Sequence, residues 1–413
     1  MDKLDTVLGP ALAVPDAAAL DVMRLSLADW LAVGLAGTAE PVARITRDLA
    51  LSEAGAGQAT LFGGGRVPAR AAALVNGATS HALDYDDTHF AHIGHPSVAV
   101  IPAALALCEV QSCDLLRAAL AGCEASVRFG LAFGRAHYQT GFHQTATAGA
   151  FGATVAAGQV LGLSQDRMRH ALGLAATRAS GLKAQFGTMG KPYNAGIAAS
   201  NGVECALLAA RGMESNPEAV FGPLGFCDTH HCDGQVSENT GFLMTQVSHK
   251  FHACCHGLHA TLEALELLKP VDPAQIRRIE IATHPRWMSV CNQPSPTTGL
   301  GAKFSYRMVT ALSLSGHSTA ALDSYSDALC ADPALIALRD KVHVTAQDGL
   351  SETAANVRID GAEARFDLAA PLSLAQRTDK MRTKIAALMG GQADAVWQAG
   401  QSGDVAAITA LMR

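Results

Sequence analysis

The chain has 413 residues, of which 49% are apolar but only 5% aromatic and 16% charged, with a formal net charge of −6. That length suffices for two or three domains around a large buried core. A negative balance with no Lys/Arg run excludes a nucleic-acid binder, which needs a basic patch against phosphates. The most apolar run, Val98 to Cys108, is 11 residues long and contains Pro102, whereas a membrane span needs roughly 18 or more.

The opening MDKLDTVLGP carries acids where an export signal needs positive charge. The ten cysteines show no framework spacing, so the expectation is reduced thiols in a cytoplasmic protein.

Helical spacing predicts a helix over 16–37, opened by an Asp and closed by Gly37. Another follows over 67–83. Pro96 and Ser97 open a third that runs to Glu109, with proline where a missing N–H costs little. Asp114 to Phe133 continues in helical period, and a small-residue helix over 141–163 begins at a histidine. Ser164 has the pattern of an N-cap, and 191–213 starts at Lys191 with Pro192 in its first turn.

Near residue 270 the texture changes. Residues 277–283 alternate as a strand does, and 342–346 and 355–368 contain strand-like runs, the last with the hairpin signal Asp360-Gly361. Helices are expected between them at 302–315 and 333–340, and the chain is helical again from 373. The fold class expected is mainly α: a large all-helical domain over 1–259, an inserted smaller α+β lid domain over 260–370, and C-terminal helices over 371–413 returning to the first domain.

Residues 76–102 hold the densest chemistry. Three acids (Asp84, Asp86, Asp87) and four histidines (His81, His89, His92, His95) fall within fifteen residues between apolar helices. Buried acids and imidazoles cost free energy unless paired, and they gather where protons are moved. Further motifs place a titratable side chain at a loop–helix junction: HPS, GFHQT at 141–145, GTMGKPYNAG at 187–196 and KFHACCHGLH at 250–259. Helix N-termini present free N–H groups and attract anions. Lys191, His95 and His143 stand at such starts and suit a substrate carrying carboxylates.

The ordered set NGATSHALDYDDTH…HPS, GFHQT, GTMGKP..AG and K…CC…H resembles the MmgE/PrpD family over nearly the whole chain. That family includes 2-methylcitrate dehydratase, cis-aconitate decarboxylase and iminodisuccinate epimerase. The resemblance implies the two-domain fold above, a homodimer, and no metal or organic cofactor. Carried over by motif, the active site falls on Asp84, Thr88, His95, His143, Lys191 and Lys250, with His259 beside them.

The chemistry so implied is proton transfer at carbon beside a carboxylate, whose developing charge needs preorganised donors. Lys191 and Lys250 are the candidates for that role. His143 is the first candidate for the group that touches carbon, as base or acid; His95 is the opposite partner, and Asp84 orients an imidazole. Two positions depart from the family pattern. Met308 stands where a tyrosine is common, with Tyr306 and Arg307 as possible substitutes, and His256 stands where arginine is frequent.

Blander readings apply elsewhere. Cys227/His230/His231/Cys232 and His252/Cys254/Cys255/His256/His259 match no standard zinc spacing and read as packed side chains. The glycines at 63–65 read as a turn. Asp86 and Asp87 read equally as site residues or as simple helix caps and lysine partners, His81 and His92 read as structural histidines, and Lys183 as a surface residue. The function expected is a cofactor-independent hydro-lyase of 2-methylcitrate dehydratase type acting on a small di- or tricarboxylate. Alternatives are an epimerase of iminodisuccinate type and a catalytically silent helical scaffold.

Overall fold

Asp16 caps the first long helix as its position predicts, its carboxylate accepting from the Ala19 N–H at 2.8 Å. The computed structural model describes residues 2–370 and 372–413. Its helices begin with α1 (Lys3–Ala11), α2 (Ala17–Ala36), α3 (Pro41–Ser52) and α4 (Ala69–Ser80). There follow α5 (Ser97–Cys108), α6 (Leu115–Thr140), α7 (Gln144–Val160), α8 (Gln165–Arg178) and α9 (Gly190–Ala210). Ser164 caps α8 by accepting from the Arg167 N–H. The helix expected to stop at Phe133 does break there: Gly134 takes φ 77°, and its missing Cβ lets the Gly234 backbone pass. A further turn and a half then runs to Thr140.

Small residues set how closely these helices approach. A Cβ on Gly77 of α4 would stand 2.9 Å from the Cα of Gly196 on α9, and one on Gly149 of α7 would stand 2.8 Å from the Ala99 Cβ of α5. Glycine and alanine at the contacts therefore gather the C-terminus of α4 and the N-termini of α5, α7 and α9 at one end of the bundle. A two-stranded ribbon, β1 (Ala59–Thr60) with β2 (Arg66–Val67), is the only sheet of this unit among the described residues.

The chain divides into two compact units: one runs from the N-terminus to His249 and resumes over Gly391–Arg413, and the other is Lys250–Gly390. The sequence places these joins at 259/260 and 370/371 instead, and residue 371 lies outside the described residues. The difference has a packing cause. The helix His259–Leu268 lies on the sheet of the second unit, and Glu263 on it pairs with Lys380 of the helix Leu374–Met389 at 2.8 Å.

That sheet has the order β4–β3–β5–β6, with β3 (Ile279–Thr283), β4 (Val342–Ala346), β5 (Ala354–Ile359) and β6 (Ala362–Asp367). β3 and β4 are parallel and the other pairs antiparallel. The β5–β6 hairpin turns at Asp360 and Gly361, both at positive φ as the sequence signal requires. The architecture is mainly α with a small α+β unit, as expected. One expectation is corrected: Cys108 and Cys113 form a disulfide across 5.4 Å between Cα atoms. Five residues apart around the end of α5, they are neighbours in space, a proximity their spacing does not announce. The other eight cysteines form no disulfide among the described residues.

Candidate active site

At the C-terminus of α4, His81 closes the helix and the chain turns sharply. Asp84 takes φ 51°, in the left-handed region that aspartate tolerates better than most residues. The turn leaves the Asp84 side chain half exposed, while Asp86 and Asp87 are buried.

Asp86 sits between two imidazoles. Its Oδ1 lies 2.9 Å from His81 Nδ1 and its Oδ2 2.7 Å from His95 Nδ1. Burial alone raises a carboxyl's pKa; here the charges of His81 and His95 overcome it and hold Asp86 well below the usual carboxylate range. The reading of Asp86 as a cap or lysine partner is therefore corrected. Asp87 does cap: it accepts from the Ser97 N–H at 3.3 Å and from the hydroxyls of Ser26 and Ser97. Burial still pushes its carboxyl up to about 6 against those bonds.

His95, just ahead of α5, reaches two carboxylates: besides Asp86, its Nε2 lies 3.5 Å from Asp84 Oδ1. Its backbone N–H donates to Thr145 Oγ1 at the start of α7. On the first turn of α9, Lys191 places Nζ 2.8 Å from Asp84 Oδ2. The sequence-predicted residues Asp84, His95 and Lys191 thus share one linked set of contacts.

His143 caps the start of α7, its N–H donating to the Gly181 carbonyl at 2.9 Å. Its ring lies parallel to that of His81 at 6.1 Å and edge-on to Phe186 at 4.9 Å. Burial, then the charges of His81, Lys191 and His95, press its pKa well below the ordinary value, with Asp84 pulling the other way. His143 is therefore neutral at pH 7. His81, read from the sequence as structural, belongs to this cluster, with its ring 4.6 Å from that of His95. Asn194, which no motif singled out, touches His143 Nδ1 at 3.2 Å; its spacing of three from Lys191 on one helix face was the available signal.

Thr88 lies near the surface of this unit's interior and exchanges both backbone hydrogen bonds with Ser248. The His92 ring meets the Ser126 hydroxyl, and burial depresses it to about 3. Lys183 donates to the Tyr138 carbonyl and lies over that ring.

Lys250, His259, Tyr306 and Arg307 belong to the second unit. Lys250 is buried there. His259 Nε2 bonds the Cys254 carbonyl at 3.2 Å, and burial, then His256, His252 and Lys250, keep the ring neutral. The Tyr306 hydroxyl donates to the Gly257 carbonyl and meets the Thr283 hydroxyl, both at 2.8 Å. Arg307 is half-buried, next to the fully buried Met308.

Among the described residues, one set of ligand atoms is close enough to hold a metal ion: His81, Asp84, Asp86 and His95, within 4.8 Å of one another. Each of these already faces an opposite charge or an imidazole, an arrangement that suits proton exchange within the set. Neither His/Cys cluster of the sequence forms such a set among the described residues. No helix of the described residues is long and apolar enough to cross a membrane.

Residues 8–239 match the MmgE/PrpD N-terminal domain and residues 252–390 the MmgE/PrpD C-terminal domain. Cis-aconitate decarboxylase of Aspergillus terreus is 34% identical over 236 residues, covering 51% of this chain and 48% of that protein. The Homo sapiens cis-aconitate decarboxylase is 34% identical over 209 residues, 48% of this chain and 43% of the relative. The cis-aconitate decarboxylase-like protein oryM of Aspergillus oryzae is 30% identical over 283 residues, 59% and 58% of the two chains. The chain spans about half the length of the curated relatives it matches. With both domain models matched in order over most of its length, the chain belongs to the MmgE/PrpD family.

Proposed function

We propose that this chain is a lyase that moves a proton at carbon beside a carboxylate of a small di- or tricarboxylate, using side chains alone. The observation that carries the reading is His95 held between Asp86 and Asp84 while Lys191 pairs with Asp84. Two carboxylates flank this one imidazole, so His95 is placed to pass a proton to carbon and recover it. The N-termini of α5, α7 and α9 and the Lys191 ammonium favour an anionic substrate. Thr88, in the same unit, is proposed to bind a further carboxylate.

Loss of water, as in 2-methylcitrate dehydratase, and loss of carbon dioxide, as the relatives' names state, both pass through negative charge on carbon next to a carboxylate. Elimination of water is the first reading. Epimerisation is the second, favoured by Met308 at a position where the family often has tyrosine and by the Tyr306 hydroxyl being engaged with Gly257 and Thr283. Epimerisation needs no acid for a leaving hydroxyl. We further propose a homodimer, which sedimentation of the purified protein tests.

Proton NMR of the protein incubated with a panel of di- and tricarboxylates separates these reactions. An alkene with all carboxylates retained selects the dehydratase, a product one carboxylate shorter selects decarboxylation, and an inverted centre without alkene selects the epimerase. Folded protein that changes none of them returns the chain to the scaffold reading.

A further inference from the structure

The Asn194 amide nitrogen faces two atoms: the Leu182 carbonyl oxygen and His143 Nδ1, each at 3.2 Å. A carbonyl oxygen only accepts, so the amide atom turned toward it is the NH2 group. That group has no lone pair to offer, and its second hydrogen points at the imidazole. His143 Nδ1 must then accept. A neutral imidazole that accepts at Nδ1 carries its proton on Nε2.

We infer that Asn194 is a positioning residue that fixes His143 as the Nε2–H tautomer, so that His143 serves the reaction as a neutral hydrogen-bond donor while His95 carries the proton to and from carbon. Asn194 is 5% exposed and stands one turn after Lys191, so one face of α9 presents an ammonium to Asp84 and an amide to His143. Among the described residues no group bonds His143 Nε2, which leaves that N–H for a ligand. Protonating Nδ1 would set N–H against N–H, so the contact opposes a base role for this ring. The Nε2–H instead suits an oxygen on which negative charge grows, such as the carboxylate beside a carbanion. This consequence rests on the lyase reading above; the tautomer itself does not.

The test uses the full-length protein labelled with 15N-histidine. Two-bond proton–nitrogen spectra distinguish a protonated from a bare ring nitrogen, and loss of signals in His143→Gln identifies the residue. The expected result at pH 7 is a bare Nδ1 and a protonated Nε2, exchanged for a protonated Nδ1 in Asn194→Asp, where an acceptor replaces the donor. A protonated Nδ1 in the wild type overturns the inference, as does an unchanged tautomer in folded Asn194→Asp. Should Asn194→Asp not fold, the wild-type spectrum alone decides: a bare Nδ1 supports the inference and a protonated Nδ1 overturns it. None of these readouts involves turnover, so failure of the lyase reading leaves the tautomer result standing, and the reverse.

Discussion

The Lys191 ammonium lies 2.8 Å from the Asp84 carboxylate, joining the first turn of α9 to the turn that follows α4. Because the Asp84 side chain is 48% exposed, water screens the pair, and such pairs stabilise a fold by about 0–1 kcal/mol. Lys191→Met is therefore expected to shift the unfolding free energy by less than about 1 kcal/mol. Its turnover should fall about 100-fold or more, because a donor aimed at developing charge is lost. Denaturant melts beside steady-state rates check this; a variant that is badly destabilised yet normally active contradicts it.

Asp86 presents the opposite case. It is buried against His81 and His95, and removing one partner of a buried ion pair costs roughly 3–5 kcal/mol. Asp86→Asn should lose stability on that scale as well as activity. Equal stability of Asp86→Asn and Lys191→Met in urea melts would contradict the distinction.

Burial lowers His89 to about 4, His92 to about 3 and His137 to about 4. Below the ordinary value of 6.5, the unfolded chain takes up protons that these folded rings refuse. Stability is therefore lost on acidification, at up to about 1.4 kcal/mol per pH unit for each ring. Asp87, raised to about 6 by burial, acts in the other direction. Its folded form keeps a proton that the unfolded chain sheds above 3.8, so between 6 and 3.8 it gains stability as pH falls. Three rings outweigh one acid. The urea midpoint should drop steadily from pH 6.5 to about 4.5, and more steeply in Asp87→Asn; a flat profile, or a shallower one in that variant, contradicts the assignment.

His81, Asp84, Asp86 and His95 can hold a cation, yet the proposed reaction assigns them to proton transfer. Turnover is expected to survive dialysis against EDTA, with metal analysis of the active protein showing less than stoichiometric ion. Activity lost to the chelator and restored by one divalent metal would make that cluster a metal centre instead.

Much of the fold is legible in the sequence because its signals are local. Asp16 and Ser164 mark helix starts by the hydrogen bonds they accept, and Asp360-Gly361 marks a hairpin by the backbone angles it permits. The joins between units are not local: Glu263 and Lys380 are far apart in the chain, and contacts such as their pairing and that of Lys380 with the Phe251 ring hold the helix Leu374–Met389 in the second unit. In the site, motif order picked out Asp84, His95, His143 and Lys191, which the structure links through charge and ring contacts. It did not separate Asp86 from Asp87, since a single left-handed residue, Asp84, decides which carboxylate faces the imidazoles. Nor did it find Asn194, whose role depends on the Leu182 carbonyl brought in by a neighbouring loop.

Solvent deuterium reports most directly on whether this cluster moves a proton at carbon. Wild-type protein in D₂O, given di- and tricarboxylates, should place deuterium on carbon adjacent to a carboxylate in at least one of them. His95→Gln, folded by circular dichroism, should place none. Wild-type protein that leaves every such carbon unlabelled, or a His95→Gln variant that labels at the wild-type rate, would contradict the account.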